Sequence, residues 1–466
     1  MLYRDLREWL AKVEEAGELK TIPGVDWNLE MGAVAELFPA YAVLFDSIKD
    51  YPPGYRVVVG LLSSLKRSSL TSHLPLDTDR NSFISAWRDR LHSLCPLPPV
   101  EVEDGPLLEN VKSGKEINLW DFPSPKWHEL DGGRYIGTAD VAITADPDEG
   151  WINLGTYRVM VHDRDILTLY ISPGKHGRIH REKYFAAKKP CPVAITFGQD
   201  PLLFLLASKQ MPFGESEYDY DGAIRGAPYE VIRGELTGLP IPAYAEIAVE
   251  GEILPDEKVS EGPFGEWTGY YASGEQKESV VRVKRLMHRN HPIITGAPPF
   301  RQPAGADTCN SLVRAAAIWN TLEKAGAPEI RGVACYQAFF FTVVALRQRY
   351  PGHARQVGVL ASHCDNAGYM GRYVVVVDDD IDVADFNDVL WAMCTRVDPI
   401  KSIEFTERCW SGPLDPIIPK AEKGFNSRAI IDACRPFEWM KDFPPVSGAS
   451  RELKDKVKKK YRFLTD

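Results

Sequence analysis

Residues 1–19, MLYRDLREWLAKVEEAGEL, place Leu2, Leu6, Leu10 and Val13 on one stripe between charged positions. That is the period of an amphipathic helix, and Gly17 stands near its stop. Arg56–Leu62 (RVVVGLL) reads as a buried strand and Ser82–Leu94 as a helix, after which Pro96-Leu97-Pro98-Pro99 makes a joint. From about 105 to 297 short apolar runs recur between Gly, Pro and Asp: Val141–Ala145, Thr156–Val161, Ile166–Ile171, Val193–Phe197, Ala245–Val249 and Ser279–Met287. Many short strands with turn signals predict a barrel or sandwich. Asn310–Ala325 returns to a helical period, with Leu312, Ala315, Ala316, Trp319 and Leu322 on one face and Gly326 at the stop. Arg372–Val377 is a continuous apolar strand ending in Asp378-Asp379-Asp380, the signature of a strand covered on both faces. A helix, Asp385–Thr395, follows it, so this part reads as a smaller α/β unit; a last helix begins at about Ser450.

Composition narrows the class. At 466 residues the chain is too long for one ordinary core. Hydrophobic residues are 44% and charged residues 26%, ordinary for a globular protein. The net charge of −10 argues against nucleic acid and against an anionic membrane surface. The basic run Lys454–Arg462 fits a solvated helix face. No apolar run approaches the ~20 residues of a membrane span, and the N-terminus lacks a signal-peptide core. Eight scattered cysteines without a CxxC pair point to reduced thiols in the cytoplasm.

The common nucleotide-binding, zinc-protease and hydrolase motifs are absent, among them GxGxxG after a strand, GxxxxGK[ST], HExxH and GxSxG. Four segments carry candidate chemistry. Glu261 and Glu266 flank Gly262-Pro263-Phe264-Gly265, a turn that can set two carboxylates on one side of a loop. Two facing carboxylates raise the pKa of at least one, as a general acid near neutral pH requires. On spacing alone, two solvated glutamates on an exposed loop are the default. Arg158 lies in an apolar strand, where an unpaired cation is costly, so it should meet an anion unless it faces solvent. His176 follows Pro173-Gly174 at a strand end, and Glu217 sits in an acidic, aromatic-flanked loop. With Asn153 these two would supply an oxygen and nitrogen set suited to Mn²⁺ or Mg²⁺, if the fold brings them together.

The order of these segments resembles the UbiD family of decarboxylases. The opening DLREWLAKVEEAGEL, then Asn153…Arg158…His176, then SEYD with Glu217, RGAPYEV, EGPFGE, VVVVDDDID and Gly412-Pro413-Leu414-Asp415-Pro416 follow the family's order along nearly the whole chain. The resemblance implies prenylated FMN, a flavin with an extra ring, its phosphate held through a divalent metal, usually Mn²⁺, with K⁺ nearby. It implies Asn153, His176 and Glu217 as metal ligands and Arg158, Glu261 and Glu266 as the catalytic set. Arg158 with Glu261 would orient the carboxylate, and Glu266 would supply the proton. Thr156 and Ser208 would add to the cofactor site. Arg372 stands where the family has a phosphate-contacting Lys, a departure that keeps the charge and changes the geometry.

The same resemblance implies a multidomain α+β and α/β fold: an N-terminal α/β decoration over 1–100, a split β-barrel binding the flavin over 101–305, a linking helix over 306–326, a C-terminal α/β oligomerisation domain over 327–449 and a final helix over 450–466. The expected reaction is reversible decarboxylation of an aromatic, heteroaromatic or α,β-unsaturated acid, with CO₂ as co-product. A homodimer or homohexamer is expected, with a prenylated-FMN synthase as cofactor supplier. Arg301, in the stretch Gly296–Gln302, and His288, His291 and Asp307 nearby are the candidates to meet a substrate substituent; a surface place fits Arg301 equally. The competing readings are a conventional FMN oxidoreductase, against which the missing dinucleotide motif counts, and a non-catalytic flavin-binding subunit, against which the presence of Arg158, Glu261 and Glu266 counts.

Overall fold

The computed structural model describes residues 2–209, 211–301, 307–338, 340–422 and 424–462. Gln302 of the candidate substrate stretch and the first residue of the expected linking helix lie outside them.

Three sheets carry the architecture relevant to the site. The N-terminal sheet holds Leu19–Pro23, Ala42–Asp46, Arg56–Val59 and Ile293–Gly296 in that order. Its last strand arrives from far along the sequence and ties residues 1–100 to the middle of the chain. The first helix runs Leu6–Glu15, capped by the Asp5 carboxylate, which accepts from Glu8 N. It buries Leu6, Trp9, Leu10 and Val13, while Leu2 stays outside.

The central sheet is antiparallel throughout. Its order is Arg134–Gly137, Arg158–Asp163, Ile166–Tyr170, Gln276–His288, Ile247–Glu261, Cys191–Phe197, Val141–Ala145 and Ile152–Gly155, with Asn110–Ser113 also pairing Gln276–His288. Ile152–Gly155 and Arg158–Asp163 are neighbours in sequence yet lie six strand spacings apart in the sheet, about 29 Å if it were flat. The link between Gly155 and Arg158 spans about 11 Å at most. The sheet must therefore curl until its two ends approach each other. The predicted single strand Thr156–Val161 is divided for the same reason: Thr156 and Tyr157 make the crossing between the two ends.

The helix Cys309–Lys324 leads into a mixed sheet of Ile330–Tyr336, Phe341–Leu346, Tyr373–Asp378, Phe425–Ala433 and Ile403–Trp410. Tyr373–Asp378 is central, and its apolar run is covered on both sides. Val374 and Val376 pack with the helices Cys309–Lys324 and His353–His363, while Val375 and Val377 pack with Phe386–Arg396. The final helix, Arg451–Lys460, lies on the surface. Among the described residues no helix is long and apolar enough to cross a membrane.

Candidate active site

Arg158 opens its strand and lies directly opposite Tyr170 in the antiparallel register. Its guanidinium stacks over the Tyr170 ring at 4.3 Å, and the Phe264 ring lies 5.6 Å away. Glu261 ends the long strand Ile247–Glu261, paired with Gln276. Both residues are buried, so their charges need partners. Arg158 Nε and Nη2 donate to Glu261 Oε1 and Oε2 at 2.9 and 2.8 Å, a two-pronged pair. The third donor, Nη1, reaches Glu266 Oε1 at 2.6 Å. The Tyr135 hydroxyl adds a bond to Glu261 Oε1 at 3.1 Å, and the Tyr135 ring packs on Phe264 at 4.2 Å.

This arrangement separates the two carboxylates electrically. Glu261 saturates the fork of Arg158, whereas Glu266 takes a single bond. Burial pushes the Glu266 carboxyl up to about 7. Arg158 opposes that rise and Glu261 adds to it. Near neutral pH Glu266 can therefore hold or release a proton, the property a general acid needs. Arg158 itself is held firmly protonated: its acid partners outweigh its burial.

Glu266 sits on the loop between Glu261 and Gln276. Glu266 N donates to Tyr270 O at 3.0 Å. Gly132 N donates to Pro263 O at 2.8 Å, and a Cβ on Gly132 would stand 1.9 Å from the Gly262 carbonyl oxygen. Only glycine permits that approach. The C-terminal unit closes over the same loop: Trp267 packs on Phe340 at 5.2 Å. Tyr369 also faces Glu266, and its hydroxyl is pushed up to about 12 by burial and by the nearby Tyr170, Glu266 and Asp415.

Asn153 and Glu217 meet at Tyr157, and His176 stands next to Gly177, which also abuts the Tyr157 ring. The Tyr157 hydroxyl faces the Asn153 side chain and the Gly177 N–H, with Glu217 close by. Glu217 Oε2 accepts from Leu154 N at 2.7 Å. The carboxylate is buried, and among the described residues it has no ion-pair partner within 4.0 Å. Burial therefore pushes it up to about 8. Among the described residues the buried Asn153 Nδ2 has no hydrogen-bond partner, and a flip of the amide would put its oxygen there instead. His176 is kept toward its neutral form by burial and by Lys175, and it packs edge-on against Trp151 at 5.2 Å. A buried carboxylate without a cation, an orphaned amide and a neutral imidazole fit a divalent ion. Among the described residues no set of three His, Cys, Asp or Glu side chains is arranged for a metal, so this set depends on the amide.

Other expected residues lie differently. Thr156 Oγ1 donates to Asp140 O at 2.9 Å, and Thr156 N to Ala207 O at 3.1 Å, which fixes the crossing strand. Ser208 Oγ donates to Leu205 O at 2.6 Å. Arg372 Nη2 lies 2.6 Å from both oxygens of Asp415, a buried partner that offsets its charge. Arg301 borders the Glu266 loop: a Cβ on Gly269 would be 3.2 Å from the Arg301 Cα. His288 Nδ1 bonds the Arg289 carbonyl at 2.9 Å with its ring against Phe122, His291 packs against Gly54, and Asp307 pairs with Arg80 at 3.1 Å. Among the described residues none of these three makes a hydrogen bond or ion pair with Arg158, Glu261 or Glu266. The pattern gave no hint of Tyr170 or Tyr369. Tyr135 could have been suspected, since it opens an apolar run just after the Asp131-Gly132-Gly133 turn.

Family models match almost the whole chain: the N-terminal, Rift-related and C-terminal domains of 3-octaprenyl-4-hydroxybenzoate carboxy-lyase, over residues 10–82, 99–302 and 307–433. The chain is similar to a phenolic acid decarboxylase of Sedimentibacter hydroxybenzoicus, 33% identical over 457 residues, covering 93% of this chain and 92% of that one. It is similar to a pyrrole-2-carboxylic acid decarboxylase of Pseudomonas aeruginosa, 31% identical over 459 residues with 93% and 92% covered. Among solved structures it resembles the S. hydroxybenzoicus vanillic acid decarboxylase in closed form, with a TM-score of 0.83, 30% identity and 98% and 99% of the two chains covered. It also resembles an evolved dimeric form of the UbiD-class enzyme HmfF from Pelotomaculum thermopropionicum in complex with prFMN, with a TM-score of 0.81, 25% identity and coverage of 97% and 98%.

Proposed function

The chain belongs to the UbiD family of carboxy-lyases, and on that premise we propose that it decarboxylates an aromatic or heteroaromatic acid reversibly, using prenylated FMN. The observation that carries this is the buried bridge from Arg158 to both Glu261 and Glu266. The relatives act on phenolic and pyrrole-2-carboxylic acids, which favours a ring-bearing acid here over a simple α,β-unsaturated one.

The roles follow from the geometry. Glu261 fixes the plane of Arg158. The remaining donor of Arg158, now on Glu266, is the one a substrate carboxylate would compete for, so binding and the freeing of Glu266 are linked. When bound, prenylated FMN supplies the electron sink for the pair left by the departing carboxylate. CO₂ leaves, and protonated Glu266 delivers a proton to the carbon that lost it. Glu266 then regains a proton from solvent. In the carboxylation direction Glu266 acts as the base.

Asn153, His176 and Glu217 are the residues that would hold Mn²⁺ and, through it, the cofactor phosphate. Thr156 and Ser208 would stand beside it, with K⁺ adjacent. The Arg372–Asp415 pair argues for a supporting place for Arg372 at the rim, not a direct grip on phosphate. We assign the curled sheet, residues 101–305, as the split barrel that holds the flavin. We assign residues 327–449 as the unit joining two or more copies. Phe405 and Trp410 on its edge strand are 75% and 58% exposed, which supports a second copy as the cover. The protein would work in the cytoplasm, loaded by a prenylated-FMN synthase. Glu266→Gln in enzyme made together with that synthase, assayed on a panel of aromatic acids, tests the reading. Retained flavin with lost turnover supports it; full turnover removes Glu266 as the donor.

A further inference from the structure

The loop that carries Glu266 lies beyond the last ladder pair of its hairpin, Glu261 with Gln276. Its own bonds are few: Glu266 N to Tyr270 O and Gly269 N to Glu266 O, at 3.0 and 2.8 Å. Such a loop needs an outside anchor if Glu266 is to keep a fixed place. Asp131 supplies one. Its carboxylate is buried and has no Lys or Arg within 4.0 Å among the described residues. Oδ2 accepts from His128 N at 3.0 Å and Oδ1 from the Tyr271 hydroxyl at 3.1 Å. The backbone N–H of Gly265 faces the same carboxylate. The His128 ring stands 3.8 Å from Oδ2, and among the described residues neither of its nitrogens has a hydrogen-bond partner.

Only the His128 N bond belongs to the turn in which Asp131 itself sits. The other donor, the Tyr271 hydroxyl, comes from the Glu266 loop five residues after Glu266. Gly132, next in sequence, adds its bond to Pro263 O on the arm before Glu266. A turn serving only itself would not hold both arms of a distant loop. We propose that Asp131 is a positioning residue that clamps the Gly262–Tyr271 loop and so holds Glu266 against Arg158. The catalytic consequence rests on Glu266 being the proton donor; the clamp itself does not. A misplacement of about 1 Å can cost roughly a hundredfold in rate.

Asp131→Asn replaces one acceptor oxygen by a donor facing N–H or O–H groups. In the flavin-loaded enzyme, amide hydrogen exchange over 262–271 should quicken at least roughly tenfold, with the rest of the chain unchanged. Turnover should fall roughly thirtyfold or more while KM stays within about threefold. The pH profile of kcat should shift, which a purely structural substitution would not cause. Tyr271→Phe removes a single donor and should act in the same direction, more weakly. It serves as the test if the Asn variant does not fold. Wild-type exchange and wild-type kcat in the folded variant overturn the clamp. Full turnover by Glu266→Gln would remove the donor role and leave the exchange result standing, so the two failures are separable.

Discussion

The electrical difference between Glu261 and Glu266 yields the sharpest prediction. Glu266 is buried, and its carboxyl stands at about 7, against 4.5 for the ordinary group. That gap corresponds to about 3 kcal/mol favouring the protonated form in the folded protein. The folded chain thus holds a proton that the unfolded chain releases between these values. Glu266 therefore costs no stability below about pH 4.5, and stability falls as pH rises from there to about 7. Removing Arg158's charge (Arg158→Gln) should raise the Glu266 value further, because Arg158 opposes the rise. Removing Glu261's charge (Glu261→Gln) should lower it, because Glu261 adds to the rise. The assay is infrared titration of the protonated carboxyl band, identified by its loss in Glu266→Gln, from pH 4 to 9. It needs no turnover, so it reads variants that are inactive. A band that titrates near the ordinary glutamate value of 4.5, or that moves the same way in both variants, refutes the electrostatic reasoning.

Other tests reach separate parts of the structure. Gly132→Ala pushes a methyl into the Gly262 carbonyl; it should destabilise the protein by about 1–3 kcal/mol and lower kcat, checked by thermal melting and rate assay. Elemental analysis of the parent protein should find roughly one metal ion per chain, and His176→Ala and Glu217→Ala should each lose it, and flavin with it. Flavin retained at parent levels counts against the ligand set. Arg372→Gln should remove the ion pair of the buried Asp415, lowering the melting temperature by several degrees, with a smaller effect on flavin content than His176→Ala. Equal flavin loss in the two would put Arg372 back on the phosphate.

Local periodicity located most elements because each buries one face. The helix over Cys309–Lys324 and the strand over Tyr373–Asp378 fall within a residue or two of their predicted ends. Pairing was not legible. Nothing near Ile293–Gly296 says that it joins a sheet begun at Leu19, because that contact spans most of the chain. The break at Thr156–Tyr157 was hidden for a related reason: it follows from how far the sheet curls, a property of all its strands. The motif residues came together because a buried Arg demands carboxylates, and the sequence offers two on one turn. The Arg372 pair was not legible because its partner, Asp415, is forty-three residues away. Asp131 escaped notice because Asp-Gly-Gly reads as an ordinary turn, and its bond from Tyr271 becomes visible only in three dimensions.

The central claim is that Arg158, Glu261 and Glu266 form the site of carboxylate loss. Its most direct test is release of labelled CO₂ from a carboxyl-labelled aromatic acid by flavin-loaded protein, with Glu266→Gln and Arg158→Gln alongside. The account predicts steady release by the parent protein and a loss of roughly a hundredfold or more in both variants, with the flavin spectrum retained at least in Glu266→Gln. Release by Glu266→Gln at the parent rate would contradict it.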